Sequence, residues 1–536
     1  MKPDGLCRKP MPSFSSKCRN TPWLVFALVF AWKILLFVLS AQPVPSNDAY
    51  FYDGAVVNQL LHGGYFNPTI ARVLPISGTE IFSAYPPLYQ ALLWLWMSAF
   101  GTSALSAMAL HLVLFGGYAL VVYFILKRIQ SPVWCFHLAG CYLLLLTFHD
   151  RPDSLAHLLG MLGIYAWICS RKIFNDGKTP AHADACLWAM ALFSVLALCT
   201  SLQIGAIYFL WIWLGILVTT LAGKDKFPAL PMAATIVVPA ALVLMVKFGY
   251  PHLWAGFLEH ARQTPSLTGW RLPAIGELLK VLRTTPGICL VAVFLPWTWF
   301  QQHNDIGHIE YARHEFVLVP ALLAALAVVV ACLFVLTPNT VAIANYLQPV
   351  IVATYLAFCA TILPDWRSRR LQVACLSLAV LVGSARAIGM STWGLACATD
   401  VSYSSATSLI ETELATMAPG STIVISSPFL YAAAKHNELS LIHSDWMGKA
   451  WANPPLTDFD ALKALRPRKM ILSQFDYYRR HEPVLEQLKR EPGLCDVSIT
   501  NTAHIPAPDS YPPLQRIVQH ISWAPIIVDL NWHNPP

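Results

Sequence analysis

Long apolar runs alternate with short polar segments over the first 390 residues of the chain. Most of these runs approach the ~20 residues that a helix needs to cross a bilayer. The pattern predicts a polytopic α-helical membrane domain over residues 1–390, with about eleven transmembrane helices within a range of about nine to thirteen. The predicted helices are 23–39, 103–126, 132–148, 154–170, 185–200, 204–222, 228–247, 287–301, 315–336, 341–363 and 371–389.

One apolar run, Leu88–Phe100, is shorter than the roughly 17 residues that even a short span requires, and its two tryptophans suit the membrane–water interface. We therefore predict an interfacial helix that opens at Pro86-Pro87, inside one external loop over 41–102. Lys and Arg concentrate in the segments that this arrangement leaves in the cytoplasm. The positive-inside rule then predicts a multi-pass protein with a cytoplasmic N-terminus and an extracytoplasmic C-terminus.

After about residue 390 the sequence becomes more polar, and short β-type runs alternate with helical patterns. The strand-like runs are 421–426, 439–443, 469–474 and 495–500, and the helix-like runs are 428–437, 457–466 and 477–490. Two further runs, 516–523 and 525–532, are expected to close the sheet as a hairpin. The alternation predicts an extracytoplasmic α/β domain over 391–536 with a partly parallel sheet. It contains no Gly-rich nucleotide motif.

Composition narrows the class of protein. Hydrophobic residues make up 56% of the chain and charged residues 12%, which excludes a soluble globule, a disordered chain and a coiled coil. The net charge of +7 comes mainly from Lys and Arg beside apolar runs, so we expect no nucleic-acid partner. Cys397 and Cys495 share the polar C-terminal stretch, and a disulfide between them is left open.

Ionisable residues gather in three of the predicted external loops. In the first, Asn47 or Ser46 can cap a helix and place Asp48 in its first turn, where the helix dipole keeps a carboxylate ionised. Asp48 then suits a base or a metal ligand, although an Asp at this position is more often a simple cap. Asp53, one turn later, is expected to be either a solvated surface residue or a partner that supports Asp48.

The second loop, 149–153, carries four ionisable residues in five positions, more than a turn requires. Loop capping and headgroup contact are the alternative explanation. The third loop contains Glu259 and His260, and His260 suits a metal or a phosphate as well as an interfacial position. The sequence therefore predicts polar chemistry at the outer membrane surface.

Together these loops resemble the GT-C superfamily of polyprenyl-phosphate-sugar-dependent glycosyltransferases, in particular the protein O-mannosyltransferase and aminoarabinose transferase group. The segment Asn47–Ala55 is similar to the acidic motif that opens that family's first external loop. Tyr85–Tyr89, followed by an apolar stretch to Phe100-Gly101, is similar to its Pro-Pro-Leu element, and Arg151–Asp153 falls where the family places an Arg/Asp pair. The resemblance is good over about 47–170 and mainly topological to 390.

The resemblance implies a role for each matching residue. Asp48 would be the catalytic carboxylate, and Arg151 and Asp153 would help to hold the donor phosphate. His260 would match a metal-binding histidine of some members, with Glu259 beside it as a supporting residue. The one cofactor that the resemblance suggests is a divalent metal ion.

The chain also departs from the family pattern. Ala49 replaces the second acid of the acidic motif, and Ala84-Tyr85 stands where some relatives carry Glu-Lys. Tyr85 is retained as a candidate substrate-binding residue. The candidate ligands of a divalent metal are then Glu80, Asp153 and His260. The candidates for the lipid phosphate are Arg72, Arg151 and Arg262.

The implied reaction is the transfer of a sugar from a polyprenyl-phosphate carrier to an acceptor hydroxyl of a lipid, glycan or protein. A leaving phosphate needs positive charge near it, and the acceptor hydroxyl needs a base on the opposite face of the sugar, so a single displacement inverts the anomeric centre. The partners are membrane lipids and the lipid-linked sugar, and short loops favour a bacterial inner membrane. A transporter or flippase, or a non-catalytic scaffold, are the alternatives.

Overall fold

The computed structural model describes residues 21–40, 49–71, 86–128, 151–175, 180–221, 227–251, 403–447, 456–491, 493–501 and 524–533, with a few isolated positions between 254 and 374. Its first nine helices are α1 (Thr21–Ser40), α2 (Ala49–His62), α3 (Pro68–Ala71), α4 (Leu88–Phe100), α5 (Ala104–Arg128), α6 (Asp153–Asn175), α7 (Pro180–Leu198), α8 (Leu202–Leu221) and α9 (Ala229–Gly249). The predicted helix 132–148 lies outside these ranges, and those between 287 and 389 lie almost wholly outside them.

Within the described part of the chain, four helices are long and apolar enough to cross a membrane: Ala104–Arg128, Ala181–Leu198, Leu202–Leu221 and Ala229–Gly249. Each of the four falls on a run from which the sequence predicted a span. Helices α1 and α6 also coincide with the predicted helices 23–39 and 154–170. The α-helical membrane class is thus supported, whereas the count of about eleven spans stays a prediction.

Two glycines let α6 and α8 approach each other closely. A Cβ atom on Gly160 would lie 2.2 Å from Cγ of Tyr208, and one on Gly215 would lie 2.1 Å from Cη2 of Trp167. Both aromatic side chains are fully buried. Small residues serve this purpose at helix interfaces in membranes, where dispersion contacts drive association. Helices α6 and α8 are therefore held together by two contacts, in each of which an aromatic ring of one helix packs on a glycine of the other.

Helix α4 has one apolar face turned to the protein and another turned outward. Tyr89, Leu93 and Met97 are buried, whereas Trp94 and Leu95 on the opposite face are exposed. The helix starts after Pro87 and ends at Gly101, whose φ of +90° suits glycine. The predicted bounds 88–100 are confirmed. Its place at the membrane surface stays a prediction, and its exposed tryptophan fits that place.

The C-terminal part of the chain forms a mixed α/β layer structure. Its elements are α10 (Tyr403–Ala415), β1 (Thr422–Ile425), α11 (Ser427–Ala433), β2 (Ser440–His443), α12 (Asp458–Leu465), β3 (Lys469–Ser473), α13 (Glu482–Arg490), β4 (Cys495–Asn501) and β5 (Pro525–Trp532). The strand order is β2-β1-β3-β5-β4. The first three strands run parallel, and β5 is antiparallel to both neighbours. The partly parallel sheet predicted from the alternation is confirmed.

Strand β5 lies inside the sheet. Ile527 pairs with Ile471 of β3 on one side and with Thr500 of β4 on the other. Both of its edges are therefore occupied, and the predicted hairpin between 525–532 and 516–523 is wrong. An apolar strand that is buried on both faces carries no signal that names its neighbour, so sequence order was a poor guide here.

Cys495 opens β4 as a buried free thiol. Burial, and secondarily Asp496, raises the pKa of this thiol to about 11, which keeps it protonated. Because Cys495 is a free thiol in the structure, the disulfide alternative with Cys397, a residue outside the described ranges, is not supported.

Candidate active site

Helix α2, in the first predicted external loop, is buried along its first ten residues. The chain after it folds back so that Asn67 donates a hydrogen bond from Nδ2 to the carbonyl of Tyr50 at 2.9 Å. Only glycine fits at position 54, because a Cβ there would lie 2.4 Å from the same Nδ2. The sequence between Tyr50 and Asn67 thus folds into a tight unit that fixes the start of α2.

Asp53 lies at the centre of this unit and is fully buried. Tyr89 of α4 donates a hydrogen bond to its Oδ1 at 3.1 Å, and Tyr431 of α11 donates one to its Oδ2 at 2.8 Å. A buried carboxylate is costly unless its oxygens accept hydrogen bonds, and here each oxygen accepts one. Of the two predicted environments for Asp53, the solvated surface position is therefore wrong, and a supporting position within a polar site remains.

A chain of polar contacts runs from Asp53 into the helical bundle. The Tyr89 hydroxyl lies 2.9 Å from Nε2 of His111 on α5, and Nδ1 of that histidine lies 2.7 Å from the hydroxyl of Ser154 on α6. Ser154 donates in turn to the carbonyl of Arg151 at 2.9 Å. His111 therefore connects α4 to α6 through two hydroxyl groups, one at each of its ring nitrogens.

The predicted Arg/Asp pair forms beside this chain. Nε of Arg151 lies 3.3 Å from Oδ2 of Asp153, whose Oδ1 accepts a hydrogen bond from Ser201 at 2.9 Å. The guanidinium group of Arg151 also lies over the ring of Tyr52 on α2, 5.4 Å from its centroid. Asp153 is fully buried and the Arg151 side chain is 14% exposed. The pair therefore places a partly accessible cation directly against α2.

The C-terminal α/β part of the chain, named the outer domain after its predicted location, also contacts α2. The backbone nitrogen of Tyr50 donates to Oγ of Ser427, the first residue of α11, at 3.1 Å. Nε2 of His62, at the other end of α2, lies 2.7 Å from the carbonyl oxygen of Ala434. The rings of Tyr50 and Tyr431 meet edge to face with centroids 5.1 Å apart. The helix is thus held by the outer domain at both ends and at Asp53.

One hydroxyl group at this site has no hydrogen-bond partner among the residues that the structure describes. The side chain of Tyr50 is fully buried, and its hydroxyl makes no hydrogen bond in the structure as described. Burial, and secondarily the charge of Asp53, raises the pKa of Tyr50, so the phenol stays neutral. A buried donor without an acceptor costs free energy that a bound oxygen atom would offset.

The structure describes three of the predicted site residues and brings them together: Asp53, Arg151 and Asp153. The others lie outside the described ranges and keep the standing of predictions. They are Asp48, Arg72, Tyr85, Glu259, His260 and Arg262. Asp48 immediately precedes the first residue of α2 in the sequence.

The described residues do not form a metal site. No group of three or more His, Cys, Asp and Glu side chains among them could hold an ion. Asp153, the described member of the predicted ligand set, accepts a hydrogen bond from Ser201 at Oδ1, and its Oδ2 forms an ion pair with Arg151 at 3.3 Å. Glu80 and His260 lie outside the described ranges, so a divalent metal stays a prediction.

Sequence reasoning missed Tyr89, His111, Ser154 and Tyr431. Tyr89 belongs to the Pro-Pro-Leu-Tyr segment, and His111 is a lone imidazole in an apolar run, where an ionisable residue points to function. These two could have been found. Tyr431 lies 378 positions from its partner Asp53, and no local pattern connects them.

No protein-family model and no curated protein matches the sequence. Similarity appears among solved structures. ArnT from Cupriavidus metallidurans bound to undecaprenyl phosphate matches with 14% sequence identity and a TM-score of 0.51, over 97% of this chain and 100% of that one. The apo oligosaccharyltransferase of Archaeoglobus fulgidus matches with 11% identity and a TM-score of 0.50, over 85% of this chain and 70% of that one. The same enzyme in complex with Zn and sulfate matches with 13% identity and a TM-score of 0.48, over 84% and 68%.

An ArnT bound to undecaprenyl phosphate and an archaeal oligosaccharyltransferase thus match this chain in structure, and this likeness agrees with the resemblance inferred from the loop motifs. At such low identity the likeness establishes the fold. The protein therefore shares the fold of this ArnT over nearly its whole length.

Proposed function

We propose that the protein is an integral-membrane inverting glycosyltransferase that moves a sugar from a polyprenyl-phosphate carrier to an acceptor hydroxyl on the extracytoplasmic face. The fold supports the general kind of enzyme. The observation that carries the proposal is the buried Arg151–Asp153 pair against Tyr52 of α2. A scaffold or a transporter does not require such a pair next to Asp53, the second buried carboxylate, on α2.

The proposed chemistry assigns separate tasks to the two sides of the site. Arg151, together with Arg72 and Arg262, stabilises the leaving phosphate, which departs as an anion and needs cations more than a general acid. Asp153 keeps the guanidinium group of Arg151 in place over the ring of Tyr52, because Oδ2 of this buried carboxylate lies 3.3 Å from Nε of Arg151. Tyr85 contacts the substrate.

Asp48 takes the proton of the acceptor hydroxyl. A poor nucleophile gains reactivity when a carboxylate accepts its proton during attack, and an Asp at a helix start remains ionised for that purpose. Attack opposite to the phosphate inverts the anomeric carbon. The transferred sugar is a hexose or a pentose, and the acceptor is a lipid, a glycan or a protein.

The proposal extends to location. We place the enzyme in a bacterial inner membrane, with the N-terminus in the cytoplasm and the α/β domain outside. Cysteine labels at Gly101 and Thr102 should then react with an impermeant reagent added from outside, and labelling from the cytoplasm alone contradicts this topology.

The experiment compares lipid extracts from the native host carrying either the wild-type gene or a chromosomal Asp48→Asn replacement. The expected result is accumulation of a polyprenyl-phosphate sugar in the variant, whose mass identifies the sugar. The matched control is Asp496→Asn, which changes a 75% exposed carboxylate on β4 and should leave the lipids unchanged. Unchanged lipid-linked sugars in a normally expressed Asp48→Asn strain contradict the donor class or the role of Asp48.

A further inference from the structure

The outer domain holds α2 through a rigid connection that starts in its sheet. Residue Ser426 follows β1 directly, accepts a hydrogen bond at Oγ from the backbone nitrogen of Ser473 at 2.9 Å, and donates one to Asp476. These contacts tie the end of β1 to the end of β3. Helix α11 begins at the next residue, so its start is fixed relative to the sheet.

Beyond that fixed start, a side chain of α11 donates a hydrogen bond to a carboxylate of α2. Ser427 binds a backbone nitrogen and Ala434 offers a carbonyl, whereas Tyr431 donates to the buried carboxylate of Asp53. Hydrogen bonds to charged groups are stronger than neutral ones, and the loss of a donor to a buried charge is costly. The position of α2 should therefore depend more on the Tyr431 hydroxyl than on either neutral contact.

We propose that Tyr431 of the outer domain is a positioning residue for sugar transfer: its hydroxyl holds Asp53, and Asp53 holds α2 so that Asp48 stands where the base must act. This inference rests on the proposed function for the role of Asp48. Tyr431 itself touches no reacting atom. It acts through Asp53, which it shares with Tyr89 and the His111 contact beyond it.

The first test is the Tyr431→Phe variant of the full-length protein. It removes the hydroxyl and keeps the ring that packs on Tyr50. We expect kcat to fall about tenfold while KM for the lipid-linked donor stays within about twofold, since the donor-binding cations are untouched. The matched control is Tyr403→Phe, which removes another buried tyrosine hydroxyl of the outer domain, bonded to the carbonyl of Pro428 at 2.9 Å. It should leave both constants within about twofold of wild type.

A double variant separates positioning from a general loss of structure. If Tyr431 acts through Asp53, the Asp53→Asn/Tyr431→Phe protein should be no slower than Asp53→Asn alone. Effects that multiply show that Tyr431 acts by another route, and they overturn the inference. An equal loss of kcat in Tyr403→Phe and Tyr431→Phe overturns it as well.

A second readout needs no substrate. Hydrogen–deuterium exchange of peptides covering 49–62 should be faster in Tyr431→Phe than in wild type, while peptides covering β1 and β3 and the Tyr403→Phe control stay unchanged. Unchanged exchange in 49–62 overturns the inference. Faster exchange in a protein whose wild type transfers no lipid-linked sugar confirms the docking contact and refutes the proposed function, so the two failures are distinguishable.

Discussion

The outer domain should lose stability between about pH 7 and pH 5 because of one buried histidine. His481 is fully buried at the end of a π-helical turn, Tyr477–His481, and neither of its ring nitrogens has a hydrogen-bond partner in the described part of the chain. Burial, and secondarily the charge of Arg480, lowers its pKa from 6.5 to about 4. Asp458 and Asp445 oppose this shift without reversing it.

The sign of the effect follows from proton binding. The unfolded chain takes up a proton on His481 below its ordinary pKa of 6.5, whereas the folded chain does so only near pH 4. Stability is therefore unaffected above the unfolded pKa and falls as the pH drops through this window. The two pKa values correspond to about 3 kcal/mol in full, of which roughly 2 kcal/mol is lost between pH 7 and pH 5.

The assay is urea unfolding of the full-length protein in detergent, followed by pulsed hydrogen exchange in a peptide that covers β3. The His481→Leu variant should unfold at higher urea than wild type at about pH 7, because two unpaired buried nitrogens are removed. It should also lose most of the difference between pH 7 and pH 5. The control is His533→Gln, an exposed histidine paired with Asp496, which should keep the wild-type dependence. A wild-type slope in His481→Leu refutes the reasoning.

Two further predictions concern buried contacts in the helical part. Tyr50→Phe should be neutral or stabilising by about 1 kcal/mol in thermal unfolding, because it removes an unpaired buried hydroxyl; clear destabilisation contradicts the absence of a protein partner. Gly160→Ala should destabilise by about 1–3 kcal/mol, because its Cβ meets the ring of Tyr208, whereas Gly249→Ala, with nothing within 4 Å, should change the melting temperature little.

The parts of the fold that depend on local pattern could be predicted. The helix 88–100 was found from its length and flanking prolines, and four strands of the sheet from short β-branched runs between turns. The neighbours of β5 could not be found in this way. Strand pairing depends on contacts between distant segments, and an apolar strand fits several partners equally well.

In the candidate site, too, local sequence patterns predicted some contacts, whereas contacts between distant segments could not be predicted. Arg151 and Asp153 are near neighbours in sequence, and their pairing followed from a motif. The environment of Asp53 did not follow from a motif, because a lone Asp one turn into a helix is expected to be a surface residue unless its partners are known. Those partners come from α4 and from the outer domain, and only the folded chain brings all three together.

The contact between α2 and α11 at Asp53 differs from an apolar contact, because it buries a charge. Apolar side chains of similar size would hold α2 and α11 together without the cost of burying a charge. A carboxylate is stabilised only where both tyrosine hydroxyls reach it, at 3.1 Å and 2.8 Å here, so a displaced α2 leaves a buried charge with a missing donor. Displacing α2 therefore costs more free energy at this contact than forming the contact contributes to stability. That property is useful next to the base that we propose, and it gives a physical reason for a costly charge one turn beyond Asp48.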